Sequence, residues 1–418
     1  MLSYINYPTW LKPEIFWFLA AVPESVNKVM TIILIISLAG LVLLLPLYYN
    51  VFFKNEKTKS KSKSRNKQPE KNLKGLMIFL VSYIVFVAIL VIFKIYPLLR
   101  WYGVSYIAGL SIGYMLTLYL LKNEGYKTLD KKKIDDLYFY GVIGLILGGR
   151  IFYCIVYDWA YFSDNLIEII IPFRDGQFVG FTGMSYHGAL LGSIIVCLVF
   201  SFLRKIDIRE LSDILFPVIP LGYTLGRLAN FINQELYGRI TASSVGVLFS
   251  GADKLPIKLP EVQNVISKLG WVIDKQAITV KDSAGKLIEN VLTNTVTNGQ
   301  QMLAINLPRH PSQLYEAFFE GIILFFIIWF PARIWKPFKG FMATVYLAGY
   351  GISRILLENF RQPDNQFEDQ ASGKYIGYIV GNLTMGQILS YLMLVAALGF
   401  GIYFYILSKN ERKLQGDM

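Results

Sequence analysis

The sequence is short of charge. Only 17% of its 418 residues are Asp, Glu, Lys or Arg, where a soluble domain carries roughly a quarter. Histidine and cysteine are scarcer still, at two each. A zinc site would need nearly all four, and neither a CxxC nor an HExxH spacing occurs, so a His/Cys zinc site is not expected. Cys154 and Cys197 stand singly in apolar runs, which excludes a disulfide framework. Acidic residues are in deficit: 41 Lys and Arg against 29 Asp and Glu leave a formal charge of +12. A nucleic-acid-binding protein can carry such a charge, but hardly with 54% hydrophobic residues and a mean hydropathy of +0.45. The partner this composition implies is the lipid bilayer, with no nucleic acid.

What is abundant is apolar sequence. Runs long enough to cross about 30 Å of hydrocarbon, roughly 20 residues each, fall at 29–53, 76–97, 101–121, 136–157, 186–203, 211–232, 312–335, 340–360 and 384–407. The expected fold class is an all-α polytopic membrane protein with about nine transmembrane helices. Glu14–Val22 is too short to cross and lacks a basic leader, so it reads as an interfacial stretch rather than a cleaved signal peptide. Basic residues mark alternate connections. The loop 54–74 holds nine Lys or Arg against two Glu, a net of +7. Lys122, Lys127 and Lys131–Lys133 follow, then Arg204, Lys205 and Arg209, then Arg333, Lys336 and Lys339, and finally Lys409, Arg412 and Lys413. The intervening connection 158–185 has one Arg174 against four acids. The positive-inside rule then places the N-terminus outside and the C-terminus in the cytoplasm. The low-complexity loop 54–74 reads as a solvated topology tag, with electrostatic lipid binding as the lesser alternative. The segment Ile240–Arg309 is a polar insert on the outer face. Its strings VLFSGADKLPIKLP and AITVKDSAGKLIENVL read as short strands around turns such as Ser283-Ala284-Gly285, a small β-rich periplasmic cap.

A charged side chain inside a membrane helix costs a few kcal/mol or more, so each is a functional candidate. Four clusters occur. In Gly226–Arg239, Arg227 and Asn230 are three apart and Gln234 four further, which places all three on one helical face, with Glu235 and Arg239 beyond. The alternative is an interfacial anchor. In Tyr350–Asp364, Tyr350, Arg354 and Glu358 form an i, i+4, i+8 stripe, or simply a local Arg354–Glu358 ion pair. Ser185–Gly192 opens a span with His187, whose usual pKa near 6.5 suits a proton acceptor, although a lone histidine is more often structural. Its Gly188 and Gly192 permit close helix packing. Arg309–Glu316 leads out of the cap through His310 and Pro311; Glu316 and Glu320 lie i, i+4, and capping and packing account for about half of the reading. Paired guanidinium groups with carboxylates beside them suit a lipid phosphate, which Arg takes with two hydrogen bonds. A lipid or ion-coupled transporter is the main rival reading, but transporters usually carry inverted repeats, and no internal repeat is found.

Taken together, GRLANFINQELYG (Gly226–Gly238), YHGALLG, RHPSQLYE, RWYG, LGGR and ISRILLENFRQPD resemble the bacterial prolipoprotein diacylglyceryl transferase family, in order, from about Leu99 to Lys409. Members commonly have seven spans. The chain then divides into an outer arm (1–28), an inserted transmembrane hairpin (29–97), a membrane core in two parts (98–239 and 310–410) around the cap (240–309), and a cytoplasmic tail (411–418). The resemblance implies transfer of the diacylglyceryl group of phosphatidylglycerol to the lipobox cysteine of a prolipoprotein signal peptide, without metal or cofactor, at the bacterial inner membrane. It implies His187 as the base and Arg227 and Arg354 as phosphate ligands. Glu358, Glu235 and Asn230 would orient them, Tyr102 and Tyr350 would bind the head group, and Gly238 and His310 complete the substrate-binding set.

Overall fold

The computed structural model describes residues 4–8, 101–171, 173–174, 177–178, 183–274, 276–297, 300–362, 378–380 and 382–416. The expected spans 29–53 and 76–97, the loop 54–74 and most of the arm 1–28 lie outside them. The described residues from 105 onward form one compact unit with residues 4–7, while Pro8 and 101–104 fall in a second.

The unit is mostly helical. Helix α1 (Trp101–Asn123) is apolar on every side, as a lipid-facing span is. Helix α2 (Lys131–Val156) starts where the Asp130 carboxylate accepts the Lys133 amide at 2.9 Å. Helix α3 (Tyr186–Arg204) starts in the same way on the Ser185 hydroxyl. These two helices cross through glycine. A Cβ at Gly148 would lie 2.8 Å from the Gly192 Cα, and one at Gly188 or Gly192 would strike the α2 backbone. The G-x-x-x-G spacing of Gly188 and Gly192 is therefore a packing device, answered by Gly144 and Gly148 on the facing helix.

Helices α4 (Ile208–Leu215) and α5 (Ile219–Ile232) meet at a bend of 46° and form either one broken span or a re-entrant pair. Pro217 and Pro220 sit at the bend and withhold amide donors there. The span that follows the cap, α7 (Ser312–Trp335), contains two wide-turn stretches, Ala317–Ile323 and Ile328–Ala332. Helix α8 (Phe341–Leu357) is only 17 residues, about 25 Å long at 1.5 Å per residue, shorter than the run 340–360 suggests. Helix α9 covers Met385–Gly416. Among the described residues five helices are long and apolar enough to cross a membrane, or six if the bent pair is one span.

Between α5 and α7 lies a small mixed domain. Strand β2 (Val247–Leu248) precedes a three-stranded sheet in which β8 (Gln300–Ile305) lies between β3 (Leu255–Pro256) and β7 (Leu292–Thr297), and a separate three-stranded meander, β4 (Val272–Asp274), β5 (Thr279–Lys281) and β6 (Leu287–Ile288). The turn around Gly285, at φ +79°, joins β5 to β6 as the sequence suggests. One element is new: α6 (Pro260–Leu269), with proline at its start and Gly270 in the left-handed conformation at its end. Val262, Val265, Ile266 and Leu269 from this helix pack on Leu255, Trp271, Ile305 and Leu307, giving the domain its own core. The N-terminal strand β1 (Ile5–Asn6) pairs in parallel with β2.

Candidate active site

Helices α5, α7 and α8 bring five charged side chains together inside the span region. Arg227 on α5 places its Nε 2.8 Å from Glu316 Oε2 on α7. Arg354 on α8 places Nη1 3.3 Å from the same oxygen and 4.0 Å from Glu320 Oε1, and Nη2 3.2 Å from Glu358 Oε2. Glu316, with 1% of its side chain exposed, thus joins the two arginines. Tyr223, one turn before Arg227, donates to Glu320 and lies 3.3 Å from Glu316 Oε2; the Arg227 guanidinium stands 4.8 Å over its ring. Tyr350 meets Tyr223 edge to face and stacks on Tyr346. The Thr384 hydroxyl donates to Glu358 at 3.1 Å.

This arrangement is unusual in its charge. Three buried carboxylates face two guanidinium groups, in surroundings where an uncompensated charge is expensive. Hydrogen bonding is also incomplete, since Arg354 Nη1, Glu320 Oε1 and Glu358 Oε2 are buried without a hydrogen-bond partner. Arg354 Nη1 is ion-paired to Glu316 and Glu320 without a well-formed hydrogen bond, so an incoming anionic oxygen can accept one from it.

Three connections meet beside the cluster. Gly238 donates its amide to the His310 carbonyl at 2.8 Å and bridges to Arg361. Arg239 donates its amide to the Phe360 carbonyl. A Cβ at Gly238 would lie 2.6 Å from the His310 oxygen and closer still to that of Phe360, so only glycine allows three backbones to converge here. The His310 ring packs edge to face on Phe360, with Nδ1 3.3 Å from the Tyr315 hydroxyl. Burial pushes its pKa below the usual 6.5.

The family described as prolipoprotein diacylglyceryl transferase matches residues 90–403. Proteins named phosphatidylglycerol–prolipoprotein diacylglyceryl transferase are similar along most of their length. The one from Treponema denticola is 39% identical over 340 residues, covering 77% of this chain and 94% of the relative. That from Chlorobaculum tepidum is 34% identical over 322 residues, with 76% and 90% covered. That from Rickettsia africae is 36% identical over 309 residues, with 73% and 92% covered. The chain belongs to the prolipoprotein diacylglyceryl transferase family.

The structure brings together some of the residues that resemblance to this family pointed to. Arg227, Arg354, Glu358 and Tyr350 share the cluster. Asn230, buried near the end of α5, donates to Glu235 Oε1 at 2.9 Å. Gln234 does not continue the Arg227 face. Helix α5 stops at Ile232, Gln234 adopts a left-handed φ of 56°, and its carbonyl oxygen accepts from Ser250 and Gly251 in the cap. His187 is exposed at the start of α3, against the Tyr186 ring. Tyr102, on the first turn of α1, belongs to the other compact unit. Glu316, Glu320 and Tyr223 are the members that sequence reasoning undervalued. The available signal was a pair of carboxylates one turn apart within an apolar span. Arg150, in the LGGR string, is buried and donates to the carbonyls of Glu168, Ile169 and Gly183, which fastens the following connection to α2.

Proposed function

We propose that this protein transfers the sn-1,2-diacylglyceryl group of phosphatidylglycerol to the cysteine thiol of a prolipoprotein lipobox. The thiolate sulfur attacks the glyceryl carbon that carries the phosphate. The C–S bond forms as the C–O bond breaks, and glycerol 1-phosphate leaves with that electron pair. The thiol proton passes to a base, since a thiol of ordinary pKa near 8.5 is mostly protonated at neutral pH. We assign that role to His187. Negative charge grows on the departing phosphate, and preorganised guanidinium groups act on such charge most strongly in a water-poor site. The observation that supports this reading best is the Arg227–Glu316–Arg354 bridge, whose Arg354 Nη1 is ion-paired but not satisfied in hydrogen bonding. Glu316 and Glu358 hold the arginines, Tyr350 binds the head group, and Asn230, Glu235, Gly238 and His310 shape the site's outer edge.

The proposed setting is the bacterial inner membrane, with nine helices, the domain 240–309 on the periplasmic side and the C-terminus in the cytoplasm. The β1–β2 pairing supports it, because it keeps the N-terminal strand on the same side as that domain. A two-span insertion at 29–97, with its Lys-rich loop inside, preserves this topology. The deciding experiment presents purified protein with labelled phosphatidylglycerol and a lipobox peptide. A transferase releases glycerol phosphate and raises the peptide's mass, whereas a transporter leaves both unmodified. Arg227→Ala should abolish transfer while the protein still folds. Activity retained in His187→Gln would remove that residue as the base.

A further inference from the structure

The connection between α7 and α8, the last turns of α9 and the segment after α1 enclose a pocket of about 280 Å³, separate from the arginine cluster. Lys127, Lys336, Lys339 and Arg412 line it, with Glu411 as the one carboxylate and Ser408 between them. Much of this charge is already committed. Lys336 lies 3.3 Å from both Glu124 and Asp213, and Lys339 lies 3.1 Å from Glu210. Glu411 is held by Arg209 at 2.6 Å, which removes most of its opposition to an anion. Arg412 donates one Nη2 to the Pro337 carbonyl. Lys127 makes no ion pair among the described residues.

Ser408 distinguishes this pocket from an ordinary basic surface. It is 5% exposed, and its Oγ has no hydrogen-bond partner. Buried serines in helices commonly bond the carbonyl one turn back, as Ser201 does with Cys197 and Ser390 with Gly386 here. Ser408 forgoes that bond while lining a cavity edged with cations. A buried hydroxyl in this condition needs a partner, and a phosphate oxygen supplies one.

We infer that this pocket binds a phosphate-bearing anion, held by Lys127 and Arg412 through charge and by Ser408 through a hydrogen bond. Lys336 also borders a second cavity, of about 550 Å³, whose walls include Tyr119, Trp329, Phe330 and Ile334. Glu124, Arg333 and Lys336 complete its lining; the aromatic and aliphatic part of that wall suits the acyl chains of a lipid, so a phospholipid head group is favoured over a free ion as the source of the phosphate.

The test uses the full-length protein in detergent and two variants, the exposed pair Lys127→Gln/Arg412→Gln and the minimal Ser408→Ala. Native mass spectrometry compares dioleoyl phosphatidic acid with dioleoyl phosphatidylcholine. Thermal midpoints compare inorganic phosphate with chloride at equal ionic strength. The wild type should prefer the acidic lipid, with roughly fivefold weaker binding for each cation removed and weaker binding also in Ser408→Ala. Stabilisation of the wild type by inorganic phosphate, absent from both variants, would identify a soluble phosphate as the source and equally support the site. Transferase turnover should be unchanged in both variants, which keeps this site distinct from the active one. Unaltered lipid preference and phosphate response in either variant would overturn the inference.

Discussion

Changing Glu316 to Gln keeps the side chain's shape and removes its charge, and charge counting alone predicts little harm. Two carboxylates, Glu320 and Glu358, would then balance two guanidinium groups. The geometry predicts otherwise, because the carboxylate partner of Arg227 is Glu316 and Arg227 is only 15% exposed. Stripping one partner from a buried pair costs about 3–5 kcal/mol. At roughly 2 °C per kcal/mol for a large domain, the thermal midpoint should fall by roughly 6–10 °C. Arg227→Gln should cost a similar amount. The double variant should lose little more than either single one, so the coupling should be close to the cost of one single change, about 3–5 kcal/mol.

A companion cycle pairs Arg227→Gln with Glu235→Gln. Glu235 accepts from Asn230 instead, so those two changes should add within about 0.5 kcal/mol. Both cycles are read from thermal midpoints of purified protein in detergent. Strong coupling to Glu235, or additivity between Glu316 and Arg227, would refute the reasoning that proximity in this site outweighs net charge.

Because the proposed nucleophile belongs to the substrate, a Cys154→Ala/Cys197→Ala protein should retain transferase activity; a folded but inactive double variant would contradict the mechanism. Gly192→Leu should force α2 and α3 apart, costing about 1–3 kcal/mol as overpacking does, seen as a lower melting temperature and poor yield. His310 supplies a pH test. Its folded pKa lies below 6.5, so the unfolded chain takes up the proton first as pH falls. Stability should therefore be full above 6.5 and decline through the interval down to the folded pKa. His310→Asn should flatten that part of the melting-temperature profile, and an unchanged slope would show that another group is responsible.

The spans were legible because hydropathy is a local property. The run 186–203 became Tyr186–Arg204, and 312–335 became Ser312–Trp335. Helix endings were less so. Asn233 and Gln234 continue a plausible polar face by spacing, yet the chain reverses there to meet the cap, a choice made by residues near 250 that no window around 234 contains. Helix α6 was missed because Pro260 reads equally as the end of a strand and as the first turn of a helix. In the site, each arginine was visible as an intramembrane charge. Their common partner was not, since Glu316 lies about 90 residues beyond Arg227 and only the packing of α5, α7 and α8 reveals that one carboxylate serves both.

Strand β1 has a consequence for the order of assembly. Ile5 hydrogen-bonds to Gly246 and pairs with Val247, and the Tyr7 hydroxyl reaches the Ile232 carbonyl. Ile5 is synthesised about 240 residues before its partner. At ribosomal speeds of about 5–20 residues per second, it waits roughly 12–50 seconds. During that interval its backbone edge is unpaired, and several helices must enter the bilayer before the edge is closed. The N-terminal residues therefore act as a late clasp. A bulky tag at this end should slow maturation after insertion has finished, and a tag at the far end of α9 should not.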